Sequence, residues 1–320
     1  MAVSGRGSSA GALERLESTD PATLRVFELA RRVARSQTNV FIIGESGTGK
    51  SLLAKQIHLL GPRAKGPFVE ITCANLPEEL IESELFGHEK GAFTGAVASK
   101  PGKFELANGG TVLIEGVTEL SPALQAKLLR VLQERSFERL GGNQTVSVDA
   151  RFLASAPPGI EEMVAGGSFR ADLYYRLNVV RLELPPLRDR GWDAIRLARR
   201  FLAALRTSHG ASRFSPQVHD FFRSYPWAGN IRELRNTIEA ALLACQGRVI
   251  HLEDLPISPL REPEELVAHA AGRAMSLAQL EEAYLREILR RTGGNKSEAA
   301  RILGIHRKTL LEKRRRYGID

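Results

Sequence analysis

The 320-residue sequence predicts an α/β fold around a largely parallel sheet, followed by a helical subdomain and an all-α C-terminal domain. Short apolar runs alternate with helix-like patterns up to about residue 185, which is typical of a parallel sheet between layers of helices. A glycine-rich loop of the phosphate-binding type joins the first apolar run to a helix. Residues 275–320 have the spacing of a helix-turn-helix and carry many basic side chains.

Five apolar runs in the first part of the chain are the predicted strands. They are residues 39–43, 68–72, 111–115, 151–155 and 179–184. Pro185 and Pro186 end this part, and the pattern from Asp189 to about Leu255 is helical without a strong strand run. The predicted divisions are a disordered tail at 1–19, an α/β subdomain at 20–186, a helical lid at 187–258, a linker at 259–274 and the helix-turn-helix domain at 275–320.

Composition indicates the broad class of protein. Hydrophobic residues make up 43% of the chain, which allows a sizeable core. The sequence contains no run of about 18 apolar residues, and its N-terminus lacks the apolar segment of a secretory signal. Cys73 and Cys245 are far apart and do not have the spacing of a metal site. We therefore expect a cytoplasmic protein that is not associated with a membrane.

The strongest motif is Gly-x-x-x-x-Gly-Lys-Ser, which stands between an apolar run and a helical pattern. Its residues are Gly44, Glu45, Ser46, Gly47, Thr48, Gly49, Lys50 and Ser51. The glycines allow backbone N–H groups to surround phosphate oxygens at the start of a helix. Lys50 is expected to reach the β- and γ-phosphates, and Ser51 is expected to bind Mg²⁺. The motif thus predicts ATP and Mg²⁺ as cofactors.

Residues 91–96 read Gly-Ala-Phe-Thr-Gly-Ala, which is an unusual composition for a soluble protein. Phe93 stands between small residues that cannot pack against it locally, and the two glycines allow sharp turns. This pattern favours a flexible loop that offers Phe93 and Thr94 to a partner outside the domain. A plain surface turn is the alternative.

Residues 275–320 predict three short helices. Ser276 and Asn295 are plausible N-caps of the first two, Gly304 provides the turn, and the third runs from about 306 to 317. Leu277, Leu280, Tyr284 and Ile288 line one face of the first helix. Residues 291–320 carry nine Lys and Arg against three acidic residues, which favours nucleic-acid binding over a plain basic bundle. The candidate DNA contacts are Arg307, Lys308, Thr309, Lys313 and Arg314.

Four segments occur in an order that resembles the bacterial enhancer-binding proteins, the AAA+ activators of sigma-54 RNA polymerase. They are the phosphate loop and residues 91–96, 169–178 and 227–234. The resemblance extends from about Asp20 to the C-terminus, where the last domain looks like a Fis-type DNA-binding domain. Such domains dimerise, so the resemblance implies that the helix from Ser276 to Arg291 is the dimer surface. The resemblance implies an AAA+ P-loop fold with a helical lid that assembles as a homo- or hetero-oligomeric ring and binds enhancer-type sites on duplex DNA.

The resemblance also implies roles for single residues. Phe93 and Thr94 would contact sigma-54. Arg170 and Arg176 take the places of two catalytic arginine fingers, which act on the nucleotide of a neighbouring subunit. Arg232 takes the place of the lid arginine that senses nucleotide. Taken alone, an arginine more commonly forms a surface salt bridge.

The sequence departs from the family around the γ-phosphate. Glu115 replaces the aspartate that orders Mg²⁺ and keeps a carboxylate, so the expected metal ligands are Ser51 and Glu115. Gly116 replaces the glutamate that activates water, and a lost general base typically costs about 10²–10⁴ in rate. Two further replacements are Thr72 for an asparagine and Ala156-Pro157 for a polar sensor. Hydrolysis by this chain alone is therefore expected to be weak or absent.

Two functions remain open from the sequence. The first is an activator in which ATP turnover moves the 91–96 loop against sigma-54. The second is a non-hydrolysing nucleotide-binding protein that acts as a structural partner or repressor in mixed rings with a competent paralogue. The intact loop and the two arginines at 170 and 176 favour the first, and the altered γ-phosphate region favours the second.

Overall fold

The computed structural model describes residues 18–73, 77–205, 213–256, 276–292 and 295–319. The chain divides into two units, Met1–Pro256 and Ile257–Asp320. The predicted linker at 259–274 and all but the last two residues of the predicted tail at 1–19 lie outside the described residues.

The helices and strands follow one another in the order that the alternating pattern predicts. The first unit begins with α1 (Pro21–Ala34), β1 (Val40–Ile43), α2 (Lys50–Leu59), β2 (Phe68–Thr72), α3 (Glu78–Phe86), β3 (Gly87–His88), β4 (Lys100–Pro101), α4 (Lys103–Leu106), β5 (Thr111–Glu115), α5 (Pro122–Glu134), β6 (Ser136–Glu138), β7 (Thr145–Ser147), β8 (Arg151–Ala156), α6 (Ile160–Ala165), α7 (Ala171–Leu177) and β9 (Val180–Glu183). It continues with α8 (Asp193–Leu205), β10 (Arg213–Phe214), α9 (Pro216–Ser224), α10 (Asn230–Ala244) and β11 (Val249–Ile250). The second unit contains α11 (Leu277–Arg291), α12 (Lys296–Ile302) and α13 (Arg307–Tyr317).

The five predicted strands form one parallel sheet in the order β2-β5-β8-β1-β9. All four residues of β1 are buried, and alternate side chains enter two different cores. Phe41 and Ile43 pack on the side of α5, whereas Val40 and Ile42 pack on the side of α1 and α2. Because helices cover both faces of the sheet, its central strands are continuous apolar runs rather than alternating ones.

The register of the sheet brings the candidate catalytic positions to one edge. Glu115 at the end of β5 lies opposite Thr72 of β2 and Ser155 of β8. Ile43 at the end of β1 lies opposite Ala156 of β8. The carboxyl ends of neighbouring parallel strands are where ligands bind in open α/β sheets, so this edge is where a nucleotide is expected.

Side-chain caps and prolines define where several helices begin. Asp20 accepts a hydrogen bond from the backbone N–H of Thr23 at 2.7 Å, and a proline follows it at the first position of α1. Ser121 and Ser215 start α5 and α9 with the same cap-then-proline pattern. These caps satisfy backbone donors that have no partner within the helix.

The region after β9 is the helical lid that the sequence predicts, formed by α8, α9 and α10. It also contains a short parallel pair, β10 and β11, which the helical pattern did not indicate because each strand has two residues. Trp227 is fully buried, and its Nε1 donates to the carbonyl of Phe222 at 2.9 Å. Trp227 thus anchors the turn that leads into α10.

The second unit is the three-helix domain that the sequence predicts. Its core consists of Leu285, Ile288, Leu289, Ala299, Ala300, Leu310 and Ile319. Of the predicted apolar face of α11, Ile288 is buried, but the side chains of Leu277 and Tyr284 are 86% and 40% exposed. The stripe that faces the core is shifted because Leu285, Ile288 and Leu289 share one side of the helix. The dimer surface stays a prediction.

Candidate functional site

The phosphate loop connects the end of β1 to the start of α2. Gly47 and Gly49 have φ of +79° and +103°, values at which a side chain would be strained. Lys50 Nζ donates to the carbonyls of Gly44 and Glu45 at 2.7 and 2.9 Å, so the ammonium group lies inside the loop. Burial lowers the pKa of Lys50, while the nearby Glu115 carboxylate opposes this shift. The loop therefore has the geometry to hold an anion.

The two expected metal ligands are in contact. Ser51 Oγ donates to a carboxylate oxygen of Glu115, although the two residues are 64 positions apart. A hydroxyl and a carboxylate are hard oxygen donors that suit Mg²⁺, which usually takes its other ligands from water and phosphate oxygens. Within the described ranges, no group of three or more His, Cys, Asp or Glu side chains could hold a metal. The residues present fit an ion bound together with nucleotide phosphates.

A second carboxylate near this pair was missed by the sequence analysis. Glu70 interacts with both Glu115 and Ser51, and burial raises the pKa of Glu70, an effect that the Glu115 charge reinforces. The sequence could have indicated Glu70, because alternate residues of a strand lie on the same face, and Glu70 is two residues before Thr72. Glu70 adds negative charge beside the expected metal ligands.

The positions expected to surround the γ-phosphate meet at the sheet edge but offer few polar groups. Gly116 adopts a left-handed conformation with φ of +69°, and a Cβ placed there would come no closer than 3.7 Å to Glu119. Ala156 ends β8 and is fully buried. Thr72 ends β2 opposite Glu115. Neither Gly116 nor Ala156 has a side chain that could accept a proton.

The lid contacts the phosphate loop directly. Arg232 Nη1 donates to Ser46 Oγ at 2.9 Å, which places the expected sensor arginine beside the loop. Arg188 donates with both Nη atoms to the Glu45 carboxylate at 2.9 and 2.6 Å. The hydrogen bond from Arg188 lowers the pKa of Glu45. The Glu45 side chain is thus directed towards the lid, which leaves its backbone as the part that faces the loop interior.

A largely apolar cavity of about 80 Å³ lies between the phosphate loop, α1 and the lid. Its lining residues are Phe27, Thr48, Gly49, Leu52, Leu53, Leu184, Arg190, Leu197, Arg200, Phe201 and Ile231. Apolar walls beside a phosphate loop suit a flat purine base. The sequence analysis gave no sign of this cavity, because its walls come from five separate segments.

The two expected arginine fingers lie on or next to α7 and bind residues outside the phosphate loop. Arg170 pairs with Asp172 at 2.8 Å and is exposed. Arg176 is also exposed, and its Nη2 donates to the carbonyl of Leu132 at 3.3 Å. Both guanidinium groups are accessible from outside the unit.

The loop at 91–96 lies between β3 and β4. Gly91 and Gly95 have φ of +85° and +108°, and the Gly91 N–H donates to the carbonyl of Ala96 at 2.9 Å. The expectation that Phe93 lacks local packing is wrong, because the ring of His88 on β3 lies 5.0 Å from its ring. Phe93 is therefore half-buried, whereas Thr94 is exposed.

Side chains from outside the loop brace its base. Arg139 pairs with Glu89 at 2.9 Å and with Glu105 at 2.7 Å. Gly141 approaches Ala92 so closely that a Cβ on Gly141 would lie 2.8 Å from the Ala92 Cβ. These contacts hold the residues at the base of the loop, and they do not include Phe93 or Thr94 at its tip.

The basic residues of α13 fall into two groups. Arg307 and Lys308 are exposed, and Thr309 is half-buried. Lys313 Nζ instead binds Glu281 on α11 at 2.5 Å. Arg314 Nε donates to the carbonyl of Ile319 at 3.2 Å.

This division was not visible in the sequence, because it depends on how α13 packs against α11. Lys313 and Arg314 make contacts within the unit, so the first turn of α13 provides the most accessible of the candidate DNA contacts. Arg315 and Arg316 are also exposed. We therefore expect phosphate contacts from the exposed Arg307, Lys308, Arg315 and Arg316 rather than from Lys313 and Arg314.

Three family models match successive parts of the chain, the last two of which overlap. The Sigma-54 interaction domain matches residues 16–183, and the AAA+ ATPase lid domain matches residues 188–285. The bacterial regulatory protein, Fis family, matches residues 276–317. The chain belongs to the sigma-54-dependent enhancer-binding activators. This confirms the family and the AAA+ fold with a helical lid and a C-terminal helix-turn-helix that the motifs predicted.

Known relatives match nearly the whole of this sigma-54 activator chain. Regulatory protein AtoC of Escherichia coli (strain K12) is 45% identical over 312 residues, which cover 95% of this chain and 68% of AtoC. Nitrogen fixation protein VnfA of Azotobacter vinelandii is 48% identical over 301 residues, which cover 93% and 58%. The crystal structure of NtrX from Brucella abortus in complex with ADP matches with a TM-score of 0.70 and 32% identity, covering 94% of this chain and 68% of that one. The chain thus spans 58% to 68% of the lengths of these proteins.

In the described part of the chain, no helix combines the length and the apolar character needed to cross a bilayer.

Proposed function

We propose that this chain is a cytoplasmic, ATP-binding and DNA-binding regulator of sigma-54-dependent promoters. The observation that carries the proposal is that the sigma-54 interaction match at 16–183 includes a complete phosphate loop whose Ser51 contacts Glu115. A nucleotide complex of NtrX, a structural neighbour, supports the same ligand class. The Fis-family match at the C-terminus supports duplex DNA as the second partner.

ATP would bind with its phosphates in the loop and its base in the apolar cavity beside α1. The Lys50 ammonium group and the backbone N–H groups of the loop would hold the phosphates. Arg232 stands beside Ser46 and would bind the phosphates from the lid side. Mg²⁺ held by Ser51 and Glu115 would neutralise part of the phosphate charge.

Sigma-54 would be contacted by the tip of the 91–96 loop. Thr94 is exposed there, and Phe93 can leave His88 to join a partner surface at the cost of one ring contact. The exposure of Arg170 and Arg176 suits an oligomeric ring in which they reach the nucleotide of a neighbour. The C-terminal unit would bind enhancer-type sites through α13.

The nucleotide part of the proposal is tested with a Lys50→Ala variant. Fluorescent-ATP titration should show affinity weakened by about a hundredfold, because Lys50 is the one basic side chain of the loop at 44–51 and its charge attracts the phosphates. Lys65→Ala, an exposed lysine outside the loop, is the matched control and should bind as the unaltered protein does. Equal affinity of all three proteins would contradict ATP binding at this loop.

A second function is favoured by the absence of a proton acceptor at Gly116 and Ala156. In this alternative the chain binds nucleotide without hydrolysing it and joins mixed rings with a competent paralogue, as a structural partner or repressor. Its exposed arginines would then act on the neighbour's nucleotide.

The alternative is tested by mixing this chain with a paralogue whose own arginine fingers are changed to alanine. The unaltered chain should raise ATPase activity above that seen with its Arg170→Ala and Arg176→Ala variants. Native mass spectrometry confirms that the two proteins assemble together. Equal activity with the unaltered chain and with the variants, in confirmed mixed rings, would contradict the alternative.

A further inference from the structure

Asn230, the first residue of the lid helix α10, is fully buried and has an uncommon backbone conformation. Its φ is +53°, in the left-handed region that few residues other than glycine adopt. Asparagine tolerates this region better than most side chains. The neighbouring Gly229 approaches the phosphate loop so closely that a Cβ on Gly47 would lie 2.2 Å from the Gly229 carbonyl oxygen.

The Asn230 side chain joins three separate segments of the unit. Its Nδ2 donates to the Ser46 carbonyl at 3.0 Å and to Glu45 Oε2 at 3.1 Å. Its Oδ1 accepts from the backbone N–H of Leu187 at 2.7 Å. The amide therefore connects the phosphate loop, the segment between β9 and the lid, and α10 itself.

Capping of its own helix does not explain this side chain. Gly229 occupies the N-cap position of α10, and no side chain caps the helix there. The Glu233 carboxylate accepts the Gly229 N–H at 2.8 Å instead. Apart from a longer contact of 3.4 Å with the Ala228 carbonyl, the hydrogen bonds of the Asn230 side chain go to the phosphate loop and its connector.

Three successive carbonyls of the phosphate loop are held by groups from the lid side. Ser46 O accepts from Asn230, Gly47 O accepts from the Ile231 N–H at 3.0 Å, and Thr48 O accepts from Arg190 Nη2 at 3.0 Å. Backbone N–H groups converge on an anion only where the carbonyls of the same peptides point away from it. The lid and its connector thus keep the loop in an anion-binding conformation.

We propose that Asn230 is a positioning residue that sets the phosphate loop for the nucleotide without touching it. Through Asn230 the position of the lid determines phosphate affinity, and phosphate binding favours the docked lid by the same amount. The Arg188–Glu45 pair strengthens this coupling, because Glu45 accepts from Asn230 and Arg188 at once. The inference rests on the proposed nucleotide binding and adds a residue that the phosphate-loop motif does not contain.

Two variants separate the hydrogen bonds from the backbone conformation. Asn230→Gly keeps an unstrained left-handed backbone and removes the amide. Asn230→Asp keeps the volume and the acceptor for Leu187 but loses both donors. Asn143→Asp, at an exposed position in the loop between β6 and β7, is the control for the same change of charge.

The full chain and each variant are titrated with ATP, ADP and adenosine. Both Asn230 variants should bind ATP and ADP about tenfold more weakly, since each loses the hydrogen bonds from the amide to Ser46 and Glu45, whereas adenosine affinity should stay unchanged. Asn143→Asp should behave as the unaltered chain in all three titrations.

The outcomes separate this inference from the proposed function. If the unaltered chain does not bind ATP, the proposed nucleotide binding fails and the inference fails with it. If the unaltered chain binds ATP but both variants bind it as tightly, only the positioning role is overturned. An equal loss for adenosine and ATP also overturns it, because the role of Asn230 would then be to hold the lid fold together.

Discussion

The binding side and the hydrolytic side of the proposed nucleotide site lie at the same edge of the sheet, yet they differ in polar content. On the binding side, Lys50 Nζ donates to two loop carbonyls, and Arg232 reaches Ser46 Oγ. On the hydrolytic side, Gly116 has no side chain, and Ala156 is apolar and fully buried. The two sides thus differ in their polar side chains although they belong to the same unit and border the same sheet.

This contrast indicates that binding and turnover can be lost separately. Arg232 of the binding side also joins the lid to the phosphate loop, so its removal would weaken that contact. Gly116, in contrast, occupies a turn with φ of +69°, where glycine is the least strained residue. Under the proposed function, a change at Gly116 alters turnover and leaves the contacts of the phosphate loop and lid in place.

Restoring the hydrolytic side should have the largest effect. The double variant Glu115→Asp with Gly116→Glu should raise steady-state ATP turnover by about 10²–10⁴, because it supplies a general base. A glutamate in the left-handed conformation of residue 116 costs about 1–2 kcal/mol of stability. The other altered residues, Thr72 and Ala156, are expected to limit the gain in turnover.

Steady-state ATPase assays of the pure protein measure this restoration. Glu134→Asp with Gly247→Glu, two exposed positions away from the site, is the matched control and should leave turnover unchanged. An unaltered chain that already turns over on the order of 1 s⁻¹ or faster would remove the contrast between the two sides.

Weakening the metal contact should have an intermediate effect. Glu115→Gln keeps the volume but removes the charge, so Mg²⁺-dependent ATP affinity should fall at least about tenfold, the lower end of what more distant changes around a metal cost. Affinity measured with a chelator present should not change. Glu138→Gln, an exposed carboxylate on β6, is the control, and an equal loss in that variant would show that general surface charge rather than a metal contact is responsible.

The smallest expected effect is on the salt dependence of DNA binding by the second unit. It distinguishes exposed basic side chains from those that bind partners within the unit. Arg307→Ala and Lys308→Ala should each reduce the slope of log affinity for DNA against log salt by about 0.9, the value for one neutralised phosphate. Lys313→Ala should leave the slope unchanged, since Lys313 Nζ binds Glu281. Titrations of duplex DNA over a range of KCl concentrations measure the slopes, and equal slopes for all three variants would remove the distinction.

Much of the candidate site was predictable because its motifs are local. The strand at 111–115 ends at Glu115 as predicted, and the glycine spacing of the loop placed Lys50 and Ser51 correctly at the start of α2. The expected lack of packing around Phe93 was wrong. The residue that packs against it, His88, belongs to a two-residue strand with no clear pattern of its own. Arg232 was predicted at the lid, but Asn230 and Arg190 were missed, because their loop partners lie more than 140 positions away in the chain.

The sequence by itself determined the strands of the sheet, the phosphate loop and the three C-terminal helices, because each is specified by residues close together in the chain. The tertiary structure decided which partner each polar side chain binds. Glu45 binds Arg188 across 143 positions, and Asn230 reaches Ser46 across 184. A polar side chain can satisfy its hydrogen bonds in several ways, and the choice depends on which segments packing brings within about 3 Å of it.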